Sequence, residues 1–246
     1  MKKFGFTLAE VLITLAVIGV VAAMTIPTMV ANYQKQQYVT QLKKAYTELS
    51  QALQQMMVDE GVEKVSATDV LTQQDSEDEN TALQRAGNQF LKKYFKIAKD
   101  CGTDSSQICF AQDYTSLDKS ENPQDLNTWG GYRVITADGI SIKIIPASSY
   151  AAGVIHVDIN GLEKPNIAGR DFFSMDFYYD GTIDSGITPE CKKGISNPIG
   201  LCNNAGDNAN DARESRFVSQ YNPVPSFNLY GTGFGKILND GWKMDY

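Results

Sequence analysis

The side chain most out of place in this chain is a single carboxylate. Glu10 sits within Lys2–Ala31, KKFGFTLAEVLITLAVIGVVAAMTIPTMVA, and the next charged residue after it is Lys35. Val11–Gln34 is therefore an uncharged run of 24 residues, against the roughly 20 that an α-helix needs to cross a bilayer. Only a helix satisfies the amides of such a run in lipid. A carboxylate inside a spanning helix costs about 3 kcal/mol, so its presence points to a role. A secretory signal peptide shares the basic start, the apolar middle and the small residues near Val21-Ala22-Ala23. Neither it nor a plain single-span anchor has a use for the acid.

Other reactive side chains are few. There are four cysteines, Cys101, Cys109, Cys191 and Cys202, and one histidine, His156. No C-x-x-C occurs, so the spacings are not those of a zinc site. The anchor would place the rest of the chain outside the inner membrane, where disulfides persist. Short loops close most easily, so Cys101–Cys109 and Cys191–Cys202 are the expected bridges. His156 stands in an apolar strand pattern, where a lone histidine is expected at the surface or with its hydrogen bonds satisfied. No G-x-S-x-G, H-E-x-x-H or phosphate loop is present. Gly231-x-Gly-x-Gly lacks the strand-to-helix setting of a nucleotide site. No catalytic residue and no enzymatic activity are expected. Asp158, Asn160, Asp180 and Asp184 are hard oxygen ligands, but Asp-Gly and Asn-Gly are also common turn chemistry. They are read as turn residues, with no metal, and calcium as the alternative.

Gly5-Phe6-Thr7-Leu8-Ala9-Glu10 resembles the G-F-T-L-x-E segment of type IV pilins and type II secretion pseudopilins. The resemblance implies that a prepilin peptidase cuts between Gly5 and Phe6, that Phe6 becomes N-methylated, and that Glu10 is the family's assembly glutamate. Gly19 and Pro27 also stand where that family often weakens its helix. Some pseudopilins bind calcium near the end of the sheet, which keeps the oxygen ligands above in view. The signal covers about 30 residues and is specific as motifs go.

The elements that would carry this signal follow from periodicity. Tyr33–Glu60 contains neither Pro nor Gly. Leu42, Tyr46, Leu49, Leu53 and Met56 recur at steps of four and three, with Ala45, Ala52 and Met57 beside them, and Gly61 is a stop signal. One helix is therefore expected from Phe6 to Glu60, about 80 Å long at 1.5 Å per residue. Its first half is apolar all round; its second half has one apolar stripe, which must pack on protein. Val62–Asn80 is polar and acidic, a connection. A second helix is expected over Thr81–Lys99. Strands are expected over Tyr132–Thr136, Ile140–Ile145, Val154–Ile159 and Phe172–Tyr179, with Ala137-Asp138-Gly139 and Asp180-Gly181 as turns. Asp158-Ile159-Asn160-Gly161, Pro165-Asn166 and Gly169-x-Asp171 resemble a strand-turn-strand segment of pseudopilin-like proteins. From Ser185 the chain is expected to be irregular, stapled by Cys191 and Cys202, with Phe234–Tyr246 returning as an edge strand.

The expected fold is α+β and pilin-like. A long N-terminal helix lies on a four-stranded antiparallel sheet, followed by a disulfide-stapled irregular C-terminal region. Residues 1–5 would be a leader, 6–31 a transmembrane and filament-core helix, and 32–246 a periplasmic domain that includes the helix over 32–60. Loss of the leader removes Lys2 and Lys3 and takes the formal charge from −7 to −9. Such an acidic chain has no basic surplus for nucleic acid. The resemblance implies other pilin subunits, prepilin peptidase, an inner-membrane assembly platform and a cytoplasmic ATPase as partners. It leaves open a pseudopilin or minor pilin of a secretion-like system and a pilin for adhesion or DNA uptake. A membrane-anchored periplasmic binding module that never polymerises is the alternative outside the family.

Overall fold

The computed structural model describes residues 5, 7–73, 77–117, 124–146, 153–185, 210–211, 213–214, 217 and 233–246. Helix α1 spans Leu8–Glu60, 53 residues in one piece. Thr7 caps its start, and Gly61 ends it in the left-handed conformation, φ 66°, where glycine carries no side-chain penalty. Its two halves live in different surroundings. Val39, Leu42, Ala45, Leu49, Ala52, Leu53, Met56 and Met57 are buried; the expected stripe gains Val39 one turn earlier, and its Tyr46 is only partly buried. No residue of its apolar membrane-length window is buried.

The stripe lies on a sheet of six strands, all antiparallel and in chain order. They are β1 (Ile97–Gly102), β2 (Tyr132–Thr136), β3 (Ser141–Pro146), β4 (Gly153–Asp158), β5 (Phe172–Phe177) and β6 (Ile183–Asp184). Alternation sends Tyr132, Val134, Ile142, Ile144, Ile155, Val157, Phe173, Met175 and Phe177 to one face, where they join the α1 stripe in a single core. Val134 pairs with Ile142, Ile142 with Val157, and Val157 with Phe173, so one apolar row crosses four strands. The four expected strands are thus the centre of the sheet, with one more strand added at each edge.

Two expectations need correction. Helix α2 (Glu79–Arg85) continues through a π-helical stretch (Ala86–Leu91) and a last turn (Lys92–Tyr94), then stops short of Lys99. Phe95 is extended, and Ile97–Gly102 pairs with β2 instead. The ladder hydrogen bonds, and the reach of Cys101 to Cys109, outweigh helix propensity there. Second, the C-terminal segment is not an edge strand. It forms helix α3 (Phe234–Asn239), whose Phe234 and Ile237 are buried. The tail then returns to α1: the Trp242 ring stands edge-on to Tyr46 at 5.2 Å, and Phe234 lies 5.8 Å from the same ring. The sheet's far face is covered as well. Cys109, Phe110, Tyr114 and Leu126 cover it in a second small core with Phe172.

Cys101 and Cys109 form the expected disulfide, with Cα atoms 6.2 Å apart. The second expected pair, Cys191 and Cys202, lies outside the described residues, as does most of the expected irregular region.

Candidate functional site

The N-terminal segment is built around Thr7 and Glu10. A helix start leaves its first amides without partners. Here the Thr7 hydroxyl accepts from the Glu10 N–H at 3.3 Å, while a Glu10 carboxylate oxygen accepts from both the Thr7 N–H and the Thr7 hydroxyl at 2.8 Å. This is a capping box: each residue satisfies the other's backbone. The carboxylate is thereby held at the lip of the apolar run with its donors supplied by its own chain. Gly5 is exposed, and a Cβ placed there meets nothing within 4 Å. Phe6 lies outside the described residues.

Past Glu10 the helix turns apolar side chains outward on every side. Leu12, Ile13, Leu15, Val17, Ile18, Val20, Met24, Ile26 and Met29 are all exposed. The polar groups in this stretch close on themselves. The hydroxyls of Thr14, Thr25 and Thr28 donate to the carbonyls of Val11, Val21 and Met24 at 2.9, 3.0 and 3.3 Å. Such internal bonds leave no hydroxyl donor for lipid to strand. Pro27 stands inside the helix without breaking it. By length and composition this is a candidate membrane anchor.

The remaining candidate residues separate from this segment and from one another. Asp158 is buried; its carboxylate accepts from the Tyr114 hydroxyl and from the Asn160 N–H at 3.1 Å. Asp171 accepts the N–H groups of Asn166 and Ile167 at 2.7 and 2.6 Å. Burial, then the repulsion of Asp171, pushes Asp158 well above the usual carboxylate range; burial also raises Asp171. Asp180 accepts from the Thr182 N–H and hydroxyl. Asp184 is ion-paired with Arg213 at 2.6 Å. Each of these carboxylates works as a turn acceptor or ion-pair partner. Among the described residues no group of three His, Cys, Asp or Glu side chains is disposed to hold a metal ion.

His156 corrects the sequence reading. It is buried, edge-on to Phe172 with centroids 5.6 Å apart, and its Nδ1 has no hydrogen-bond partner. Burial, aided by Lys143, pushes its imidazole well below the ordinary range. Lys143 itself is buried on the neighbouring strand, its amine donating to the Leu126 carbonyl at 3.1 Å. Burial, with help from nearby Arg133, brings that amine down to about 7. Neither Arg133 nor Lys143 is among the residues picked out from the sequence, where both read as the polar half of a strand alternation.

An apolar helix with one acid as its third residue, capped by threonine and continuous with an α+β head, has the layout of a pilin-like protein. Residues 1–26 match the prokaryotic N-terminal methylation motif, the signal of type IV pilins and pseudopilins. Residues 28–244 match a family of unknown function, DUF6613, and the chain belongs to that family. No curated protein and no solved structure matches the chain.

Proposed function

We propose that this chain is a structural, non-enzymatic subunit of a type IV pilus-like filament, a pseudopilin or minor pilin of a secretion-like system. The observation that carries the reading is the outward-facing apolar half of α1, joined without a break to a half whose stripe the sheet already covers. In a monomer lipid must cover the first half. In a filament the same half can be covered by other copies.

In this reading a prepilin peptidase cuts between Gly5 and Phe6 and leaves a positive amine on Phe6, which methylation preserves. The capping box lets Glu10 sit in the membrane while its donors are Thr7's own groups. On assembly, the carboxylate of one subunit meets the Phe6 amine of the next. Any other stagger leaves a buried charge unmatched, so the pair selects the register. The head lies on the extracytoplasmic side of a single span. No cofactor enters this scheme.

The test expresses variants with an assembly system and measures N-terminal processing and filament incorporation separately. Gly5→Leu is expected to stay uncut. Glu10→Ala is expected to insert and be cut, but not to be incorporated. Incorporation of Glu10→Ala at the wild-type level would remove the register role. An uncut wild-type chain would favour an anchored module that does not polymerise.

A further inference from the structure

The far face of the sheet carries a row that its packing does not explain. Arg133 on β2 pairs with Lys143 on β3, and Lys143 pairs with His156 on β4. Neighbouring strands lie about 4.8 Å apart, so the three backbones span about 10 Å. All three side chains are almost fully buried, at 1%, 0% and 3% exposure. A buried charge is normally paired, yet the groups found here are carbonyls. Arg133 donates through Nη1 to the Asn127 carbonyl, and Lys143 donates to the Leu126 carbonyl. Asp104 and Asp125 act on Arg133, and Asp125 on Lys143, only through their field.

Three buried nitrogens are left over. Arg133 Nε and Nη2 are both buried without a partner, and so is His156 Nδ1. Nε and Nη2 form one edge of the guanidinium, the fork that takes two oxygens of one anion. Lys143 has used one of three N–H donors. Its stem crosses Gly131, where an added Cβ would stand 2.7 Å from it. Gly131, at φ 125°, thus holds open the room that the lysine occupies.

We propose that this row is a binding site for a small divalent tetrahedral oxyanion, of which phosphate and sulfate are the simplest. Two oxygens meet the Arg133 fork and a third meets the Lys143 ammonium. A bound dianion holds the Lys143 amine in its charged form, and its two negative charges then balance the two cations, which a monovalent ion does not. The His156 ring bounds the site on the third strand. The site belongs to the head and stands whether or not the chain polymerises.

The experiment uses the full-length chain in detergent. Potassium sulfate and potassium phosphate are titrated by calorimetry against potassium chloride and potassium acetate at equal ionic strength, with thermal unfolding followed in parallel. Saturable binding of sulfate or phosphate at one site, with a rise in Tm, is expected. Arg133→Lys keeps the charge but loses the fork, and Lys143→Met keeps the length but loses the charge. Each is expected to weaken binding by about tenfold or more, the equivalent of one charge-assisted hydrogen bond. Lys44→Gln, on the half-exposed polar side of α1 against the opposite face of the sheet, should bind as wild type. No saturable binding to the wild type, acetate binding as tight as sulfate, or unchanged affinity in a folded Arg133→Lys or Lys143→Met overturns the proposal. If either variant fails to fold, the wild-type comparison of sulfate with acetate still decides.

Discussion

The two halves of α1 have the same backbone and opposite requirements. From Val11 to about Val30 apolar side chains face outward on all sides. From Val39 to Met57 the apolar residues keep to one stripe, and that stripe is buried on the sheet. The difference teaches that the head is complete without the first half. Among the described residues, nothing before Tyr38 packs into the core of the head. None of the described residues of the head covers the first half.

The sharpest way to break this comparison is to separate the halves. A chain starting at Tyr33 is expected to lose membrane association altogether yet remain a soluble, folded monomer, checked by flotation and by thermal unfolding. A truncated head that is unfolded, or that oligomerises through Leu42–Met56, would show that the stripe is not covered by the sheet. Next in size is Leu53→Ala, at a fully buried stripe position. It should cost about 2–5 kcal/mol in urea unfolding of the head. Leu15→Ala, in the exposed half, should leave that value within about 0.5 kcal/mol.

A smaller effect tests whether the head carries its own staple. Replacing Cys101 and Cys109 by serine should cost about 2–3 kcal/mol, the loop-closure contribution of a short loop. Peptide mapping without reductant should recover the Cys101–Cys109 link, and should show whether Cys191 joins Cys202. The smallest concerns the polar side of the covered half. Lys44 is half-exposed and pairs with Asp138 in the β2–β3 turn. Asp138→Ala should cost no more than about 1 kcal/mol, and less at high salt. A larger loss would mean that α1 is held by its charges as well as by its stripe.

Much of this architecture is legible in the sequence because its signals are periodic and long. The α1 stripe, its stop at Gly61 and the four central strands follow from spacing alone. The edges are not legible for a physical reason. In β1, Ala98, Lys99 and Asp100 are all exposed, so the strand shows no alternation, and no breaker separates it from α2. Helix α3 has only six residues, too few for its apolar positions to be told from a strand. The N-terminal site is legible because an acid in a span is rare. The Arg133–Lys143–His156 row is not, because a charged residue on a strand reads as facing water until the segment that covers it is seen.

The two edge strands also bear on crowding. An open sheet edge offers unpaired amides and carbonyls to any neighbouring sheet. Here β1 breaks register twice against β2, between Ile97 and Lys99 and between Asp100 and Gly102, and it displays Lys99 and Asp100. At the other side β6 is two residues long, and its Asp184 is taken by Arg213. Neither edge is a flat template for another strand. Heads with such edges can lie side by side at high local concentration without zipping into cross-strand aggregates.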